Sequence, residues 1–112
     1  MDDKEKAIRK EKNKLKKIFK EIDKNKFDFV MTLIERLAWL NVSVKELEEL
    51  VDREGTLIEY NNGGGQTGMK DNPNVKTLIN YTKNITTITK QLVEIVPPNK
   101  QKSKLSELLD DE

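Results

Sequence analysis

The chain has no cysteine and no histidine, and each absence removes a class of chemistry. Without cysteine there is neither a disulfide framework nor a thiolate metal site, as in a chain kept in a reducing compartment. Without histidine, zinc-hydrolase motifs, histidine-based triads and histidine general bases are all excluded. Aromatic residues are scarce at 5%, and Trp39 is the single tryptophan. Hydrophobic residues make up only 35%, so a thin core, shared with a partner, is expected. No uninterrupted apolar stretch approaches membrane-spanning length, and the N-terminus is charged from Asp2 onward with no signal-peptide core. The expectation is a cytosolic chain without membrane contact.

Charge is abundant at 37% and nearly balanced, with a net of +1, but it is unevenly spread. Residues 1–26 hold 11 Lys/Arg against 6 Asp/Glu, whereas residues 35–59 hold 3 against 7. The sequence is therefore a dipole, with anionic contacts expected at its basic end. Residues 2 to about 25 carry a sparse apolar stripe at helical spacing (Ile8, Leu15, Ile18, Phe19, Ile22) among lysines. Lys10, Lys14, Lys16, Lys17, Lys20 and Lys24 are candidates for phosphate contact, since clustered lysines bind a duplex backbone by releasing counterions. A solvated helix whose lysines only confer solubility is the alternative.

A second helix is expected over about 27–40, with Trp39 as a core residue or an interface anchor. A break follows in this reading. Ser43 and Glu46 have capping-box spacing and Val42 with Leu47 can staple it, so a third helix is expected over about 44–54, ending at Gly55. The resulting helix-turn-helix pattern argues poorly for base reading, because Glu46, Glu48, Glu49, Asp52 and Glu54 would face phosphates. A packing corner is the preferred reading.

The centre of the organisation is residues 55–96. Residues 56–60 favour an extended conformation, and Asn61 to Gly68 make a flexible loop or hairpin tip. Gly63, Gly65 and Gly68 match G-x-G-x-x-G, yet no helix opens at the loop, and Gly68-Met69-Lys70 is not a P-loop ending. A connector is expected there rather than a nucleotide cradle. Asn72 as N-cap and Pro73 at the first position open a long helix that Pro97-Pro98 closes. Within it Leu78, Tyr81, Ile85, Ile88, Leu92 and Ile95 step by 3 and 4, a heptad seam. Lys76, Lys83 and Lys90 recur every 7 residues on the opposite side, as phosphate contacts or as a solvated face. The tail, residues 99–112, turns from basic to acidic around Leu105, Leu108 and Leu109, as a short docking helix or a disordered terminus.

Taken in order, an apolar helix, Leu47-x-x-Leu50, Gly55, Glu59, Asn62-Gly63, Asn72-Pro73, Lys76, Lys83, Leu92 and Pro97 resembles the small terminase subunits of tailed phages, in the form common among phages of Gram-positive hosts. The resemblance spans about residues 27–98 and lies in the order and spacing of caps and turns. It implies a non-enzymatic DNA-packaging component: rings of helical subunits that bind viral double-stranded DNA and deliver it to the large subunit, an ATPase and nuclease. The expectation that follows is an all-α fold, a helical hairpin or bundle with a long C-terminal helix and a short Gly-rich extended loop, assembled into a homo-oligomeric ring. Residues 1–26 form a basic helix or arm, 27–98 the helical oligomerisation domain and 99–112 the tail. In that picture the lysines named above, Lys76, Lys83 and Lys90 included, contact DNA. Trp39 and the seam residues Leu78, Tyr81, Ile85, Ile88, Leu92 and Ile95 serve oligomerisation, with the seam closing either between subunits or within one, and Leu105, Leu108 and Leu109 dock the large terminase subunit. No catalytic residue, metal, cofactor or small-molecule substrate is expected, and the location is the cytoplasm of the infected host cell. The competing class is a non-DNA helical adaptor or coiled-coil regulatory protein.

Overall fold

The computed structural model describes residues 2–110. Four helices and one β-hairpin follow in the order α1 (Asp3–Ile18), α2 (Phe27–Glu54), β1 (Leu57–Asn61), β2 (Thr67–Asp71), α3 (Pro73–Ile95) and α4 (Gln101–Leu109). Single turns of 3-10 helix, Lys24–Lys26 and Pro98–Lys100, lead into α2 and α4. The fold is thus mostly helical, with one small antiparallel sheet at the far end of the α2–α3 hairpin.

α1 begins where Asp2 accepts the backbone N–H of Glu5 at 2.7 Å, with acidic residues in the first turn and lysines in the last. Both charge placements suit the helix dipole. The helix stops at Ile18, short of the expected 25, because Phe19 leaves helical geometry and turns its ring into the core. Lys20 and Lys24 therefore lie on the connector to α2, not on α1.

The expected break at Asn41-Val42-Ser43 does not exist. α2 is one helix of 28 residues, about 42 Å long at ~1.5 Å per residue. A capping box needs its serine in extended geometry with the hydroxyl turned to a backbone N–H. Ser43 instead sits in mid-helix, buried, and its Oγ has no hydrogen-bond partner among the described residues. With no glycine or proline between Phe27 and Glu54, nothing local breaks the helix. Packing also spans the position, since Asn41 donates to the Glu11 carboxylate of α1 at 2.9 Å. Neither a DNA-reading helix-turn-helix nor a packing corner is formed here.

α2 is the central element. α1 packs along one flank and α3 along the other, so Leu15 and Phe19 share a core with Val30, Ile34, Leu37, Ala38 and Leu40 of α2 and Ile88, Leu92 and Val96 from α3 and its end. α4 folds back beneath them, with Leu108 packed against the same core. Two lysines close the bottom. Lys104 donates to the carbonyl of Ile18 at 2.7 Å and Lys26 to that of Ile95 at 3.4 Å, each meeting the negative end of a helix.

At the other end Asn72, almost wholly buried, ties three elements together. Its side chain accepts the N–H of Asn74 at 3.0 Å, donates to Glu54 at 3.1 Å and to the carbonyl of Gly55 at 2.9 Å, and its own N–H reaches Thr56. Between β1 and β2, Gly63, Gly64 and Gly65 all have φ between 58° and 85°, a tip that only glycine takes without strain. Gly68 lies opposite Tyr60, whose ring would be within 3.0 Å of an added Cβ. The glycine loop is a hairpin tip, as one of the two sequence readings has it, and no helix starts at it.

The molecule measures 63 × 32 × 24 Å with a radius of gyration of 18.2 Å, against about 13 Å for a compact domain of this length. Its accessible surface of 8287 Å² compares with about 6,300 Å² for an ordinary monomer of this mass.

Replacing Ser43 by alanine is expected to stabilise the chain by about 1 kcal/mol, because an unpartnered buried hydroxyl is removed and a better helix former installed. Asn72→Ala should act in the opposite sense, by about 2 kcal/mol, through loss of the cap and of two further bonds. Urea unfolding followed by helical circular dichroism checks both signs.

Candidate nucleic-acid interface

α1 carries eight basic residues against three acidic ones. Ile8, Leu15 and Ile18 turn towards α2 and fix which lysines face outward. Lys6, Arg9, Lys10, Lys16 and Lys17 are exposed, and none of the ion pairs among the described residues takes them up. Beside them a groove of about 1180 Å³ runs between α1 and the 42–49 stretch of α2. Lys4, Lys6, Arg9, Lys10, Lys14, Lys17 and Lys45 line it, against Asp3, Glu11, Glu46 and Glu49. Two of those acids are already engaged: Glu46 pairs with Lys4 at 2.9 Å and Glu11 accepts from Asn41. The local field is positive, and such a concave cationic strip suits a polyanion better than a small neutral ligand.

Not every lysine of α1 is available. Lys12 pairs with Glu35 at 2.9 Å, and Lys14 donates to the carbonyl of Asp110 at 3.0 Å. Lys4 lies 5.0 Å from the centroid of the Trp39 ring, which in turn meets Tyr81 edge-on at 5.5 Å. This cation–π and aromatic pair joins the first turn of α1 to α2 and α3, and Trp39 is half-buried in it.

The expected contact residues thus fall into three places. Lys10, Lys14, Lys16 and Lys17 are on α1, Lys20 and Lys24 are exposed on its connector, and Lys76, Lys83 and Lys90 form an exposed row on α3. Successive lysines of that row are about 10 Å apart along the axis. Thr77, Thr82, Thr86 and Thr87 turn their hydroxyls onto carbonyls one turn back, and the lysines and Glu94 are the only charged side chains of α3. The groove beside α1 takes in none of Lys76, Lys83 or Lys90. Sequence reasoning left out Lys6, Arg9 and Lys45. The spacing of Lys6, Lys10 and Lys17 along one side of α1 was the signal for the first; Lys45 joins only through the packing of α1 on α2.

The heptad seam of α3 lies against α2 of the same chain. Leu92 is 0% exposed and Ile88 9%, while Leu78, Tyr81, Ile85 and Ile95 are half-buried. Large apolar side chains that do face solvent lie elsewhere: Phe27 and Phe29 at the start of α2, Leu57 and Met69 on the hairpin, Ile79 on α3, and Leu105 and Leu109 on α4. Of the expected docking trio, Leu105 and Leu109 are exposed while Leu108 packs inward.

No family model, curated protein or solved structure matches the chain. Among the described residues no helix is long and apolar enough to cross a membrane.

Leu92→Ala is expected to cost about 3 kcal/mol by opening a cavity in the single-chain core. Phe29→Ala, at 55% exposure, should change the stability of the isolated fold by less than about 0.5 kcal/mol. Equal losses in urea unfolding would contradict this division between seam and surface.

Proposed function

We propose that the chain is a non-enzymatic DNA-binding subunit of a viral genome-packaging machine, similar to the small terminase subunits of tailed phages. It binds double-stranded viral DNA and presents it to the large ATPase/nuclease subunit in the cytoplasm of the infected host cell. The observation that carries this reading is the run of basic side chains Lys6, Arg9, Lys10, Lys16 and Lys17 on α1, exposed and without ion pairs among the described residues. Such a strip binds phosphates without reading bases, since lysine and arginine gain chiefly from counterion release. One copy offers few contacts. A closed ring of copies would multiply them by raising effective concentration.

Two further observations support assembly. The chain exposes about 2,000 Å² more surface than a compact monomer of its mass, and Phe27, Phe29, Leu57, Met69 and Ile79 leave apolar area uncovered. Those residues, with the half-buried edge of the α3 seam, are the surface a neighbouring copy would use. Leu105 and Leu109, one turn apart on the outside of α4, suit the groove of a larger partner such as the packaging ATPase.

Binding to a short labelled duplex, measured by fluorescence anisotropy at several salt concentrations, tests the reading. Lys6→Glu with Lys10→Glu and Lys17→Glu should weaken binding at least tenfold and flatten the salt slope by about 1 for each phosphate no longer neutralised. The same reversals at Lys76, Lys83 and Lys90 show what the α3 row adds. If the unaltered chain binds no duplex, or binds it with no dependence on salt, a non-DNA helical adaptor becomes the better account.

A further inference from the structure

We infer that Asn62, at the tip of the β-hairpin, is a site of spontaneous deamidation whose rate is set by the neighbouring Asn61 side chain. The inference is independent of the DNA-binding reading.

The chemistry belongs to the pair Asn62-Gly63. Loss of its proton makes the backbone nitrogen of Gly63 a nucleophile towards the side-chain carbonyl carbon of Asn62. The N–Cγ bond forms, the Cγ–Nδ2 bond breaks and Nδ2 leaves as ammonia, which closes a cyclic imide. Water then adds at either imide carbonyl and opens the ring to aspartate or to isoaspartate. In sum, a side-chain amide and water give a carboxylate and ammonium. A following glycine favours ring closure, because no Cβ obstructs the approach and the backbone can rotate to reach it. Among the asparagines of this chain, Asn62 alone precedes a glycine.

The fold leaves this pair open. Asn62 and the three glycines after it are exposed, and a Cβ added at Gly63, Gly64 or Gly65 would meet nothing within 4 Å. The backbone that must rotate therefore has free space around it. Three hydrogen bonds hold the turn. The N–H of Asn62 donates to the carbonyl of Gln66 at 3.0 Å, and that of Gln66 to the carbonyl of Gly63 at 2.9 Å. The third is the restraint: the N–H of Gly63 donates to Oδ1 of Asn61 at 2.8 Å. It engages the hydrogen that must be lost before attack and so favours the protonated, unreactive nitrogen. Being exposed, it competes with water and slows the reaction without blocking it.

Other asparagines serve as internal comparisons. Asn13, Asn25 and Asn99 are equally exposed, but each is followed by lysine and lies in a helix or a 3-10 turn. Asn72 is buried and precedes Pro73, whose nitrogen has no hydrogen to lose. The product differs from the parent in charge and in backbone. No charged residue lies between Glu59 and Lys70, so the new carboxylate stands alone at the tip, and 21 cationic against 20 anionic side chains becomes an even balance. The isoaspartyl form also lengthens the main chain by one atom, just beyond the last strand pair, Asn61 with Thr67.

The test ages the full chain in mildly alkaline buffer and samples it by peptide mapping with mass spectrometry and by ion exchange. Asn62 is expected to lose its amide several-fold faster than Asn13, Asn25 and Asn99 in the same sample, to give both products, and to react faster as pH rises. Asn62→Gln, whose longer side chain closes a larger ring far more slowly, should remove the acidic variant from the ion-exchange profile. Asn61→Ala should speed loss at Asn62 several-fold, whereas Asn61→Asp, which keeps an acceptor for Gly63, should not. If Asn62 keeps its amide as long as the three comparison residues do, or its loss does not accelerate with pH, the inference is overturned. Faster loss in Asn61→Ala with unchanged hydrogen exchange across the two strands assigns the effect to the Gly63 contact. An unchanged rate, or strands that exchange faster, overturns the role of Asn61.

Discussion

The burial of α2 between α1 and α3 is the constraint on which the rest of the chain depends, because it is where this chain gathers its core. A sequence with so few apolar residues cannot cover every helix on all sides. It places Val30, Ile34, Leu37, Ala38 and Leu40 on a single long helix and lets α1 and α3 share that surface in one core. The arrangement gives a slender molecule rather than a sphere, and the outer faces of α1 and α3 are left to solvent and partners. Asn72 at one end and the two lysine caps at the other then fix the helix ends, where unpaired backbone groups would otherwise be exposed to disorder.

The lysines divide according to what they meet. Lys12, Lys14, Lys26 and Lys104 are held in pairs or on helix carbonyls and belong to the architecture. Lys6, Lys10, Lys16 and Lys17, with Arg9, face outward without ionic partners among the described residues. Exposed ion pairs contribute little stability, so the architectural lysines matter chiefly through the geometry they impose and the outward ones through the field they sum to. A positive strip on a helix that is itself pinned along its inner face is a rigid presentation of charge. It suits contact with a regular array of phosphates better than a mobile arm would.

The hairpin and the tail have the opposite character. The two strands rest chiefly on their own pairing, with Leu57 and Met69 open to solvent, and α4 is a short helix on the outside of the bundle. Short elements with exposed apolar side chains are those from which moving or partner-bound parts of proteins are usually drawn.

Local signals in the sequence determined the start of α1, the Asn72-Pro73 opening of α3, its closure before the paired prolines, the turn at the glycines and the apolar seam. Each depends on backbone sterics or on a periodicity confined to neighbouring residues. The same kind of signal misled at Ser43, where capping-box spacing lost to packing on both flanks of α2 and the hydroxyl was left buried without a partner among the described residues. The seam's apolar stripe was legible, but that it lies on α2 of the same chain was not, because periodicity gives a helix a face without naming what covers it. The lysine cluster was equally plain in the sequence. Which lysines were committed to carbonyls, which faced solvent, and that Lys45 and Lys6 share one groove were decided only by tertiary structure, since those contacts join residues far apart in the chain.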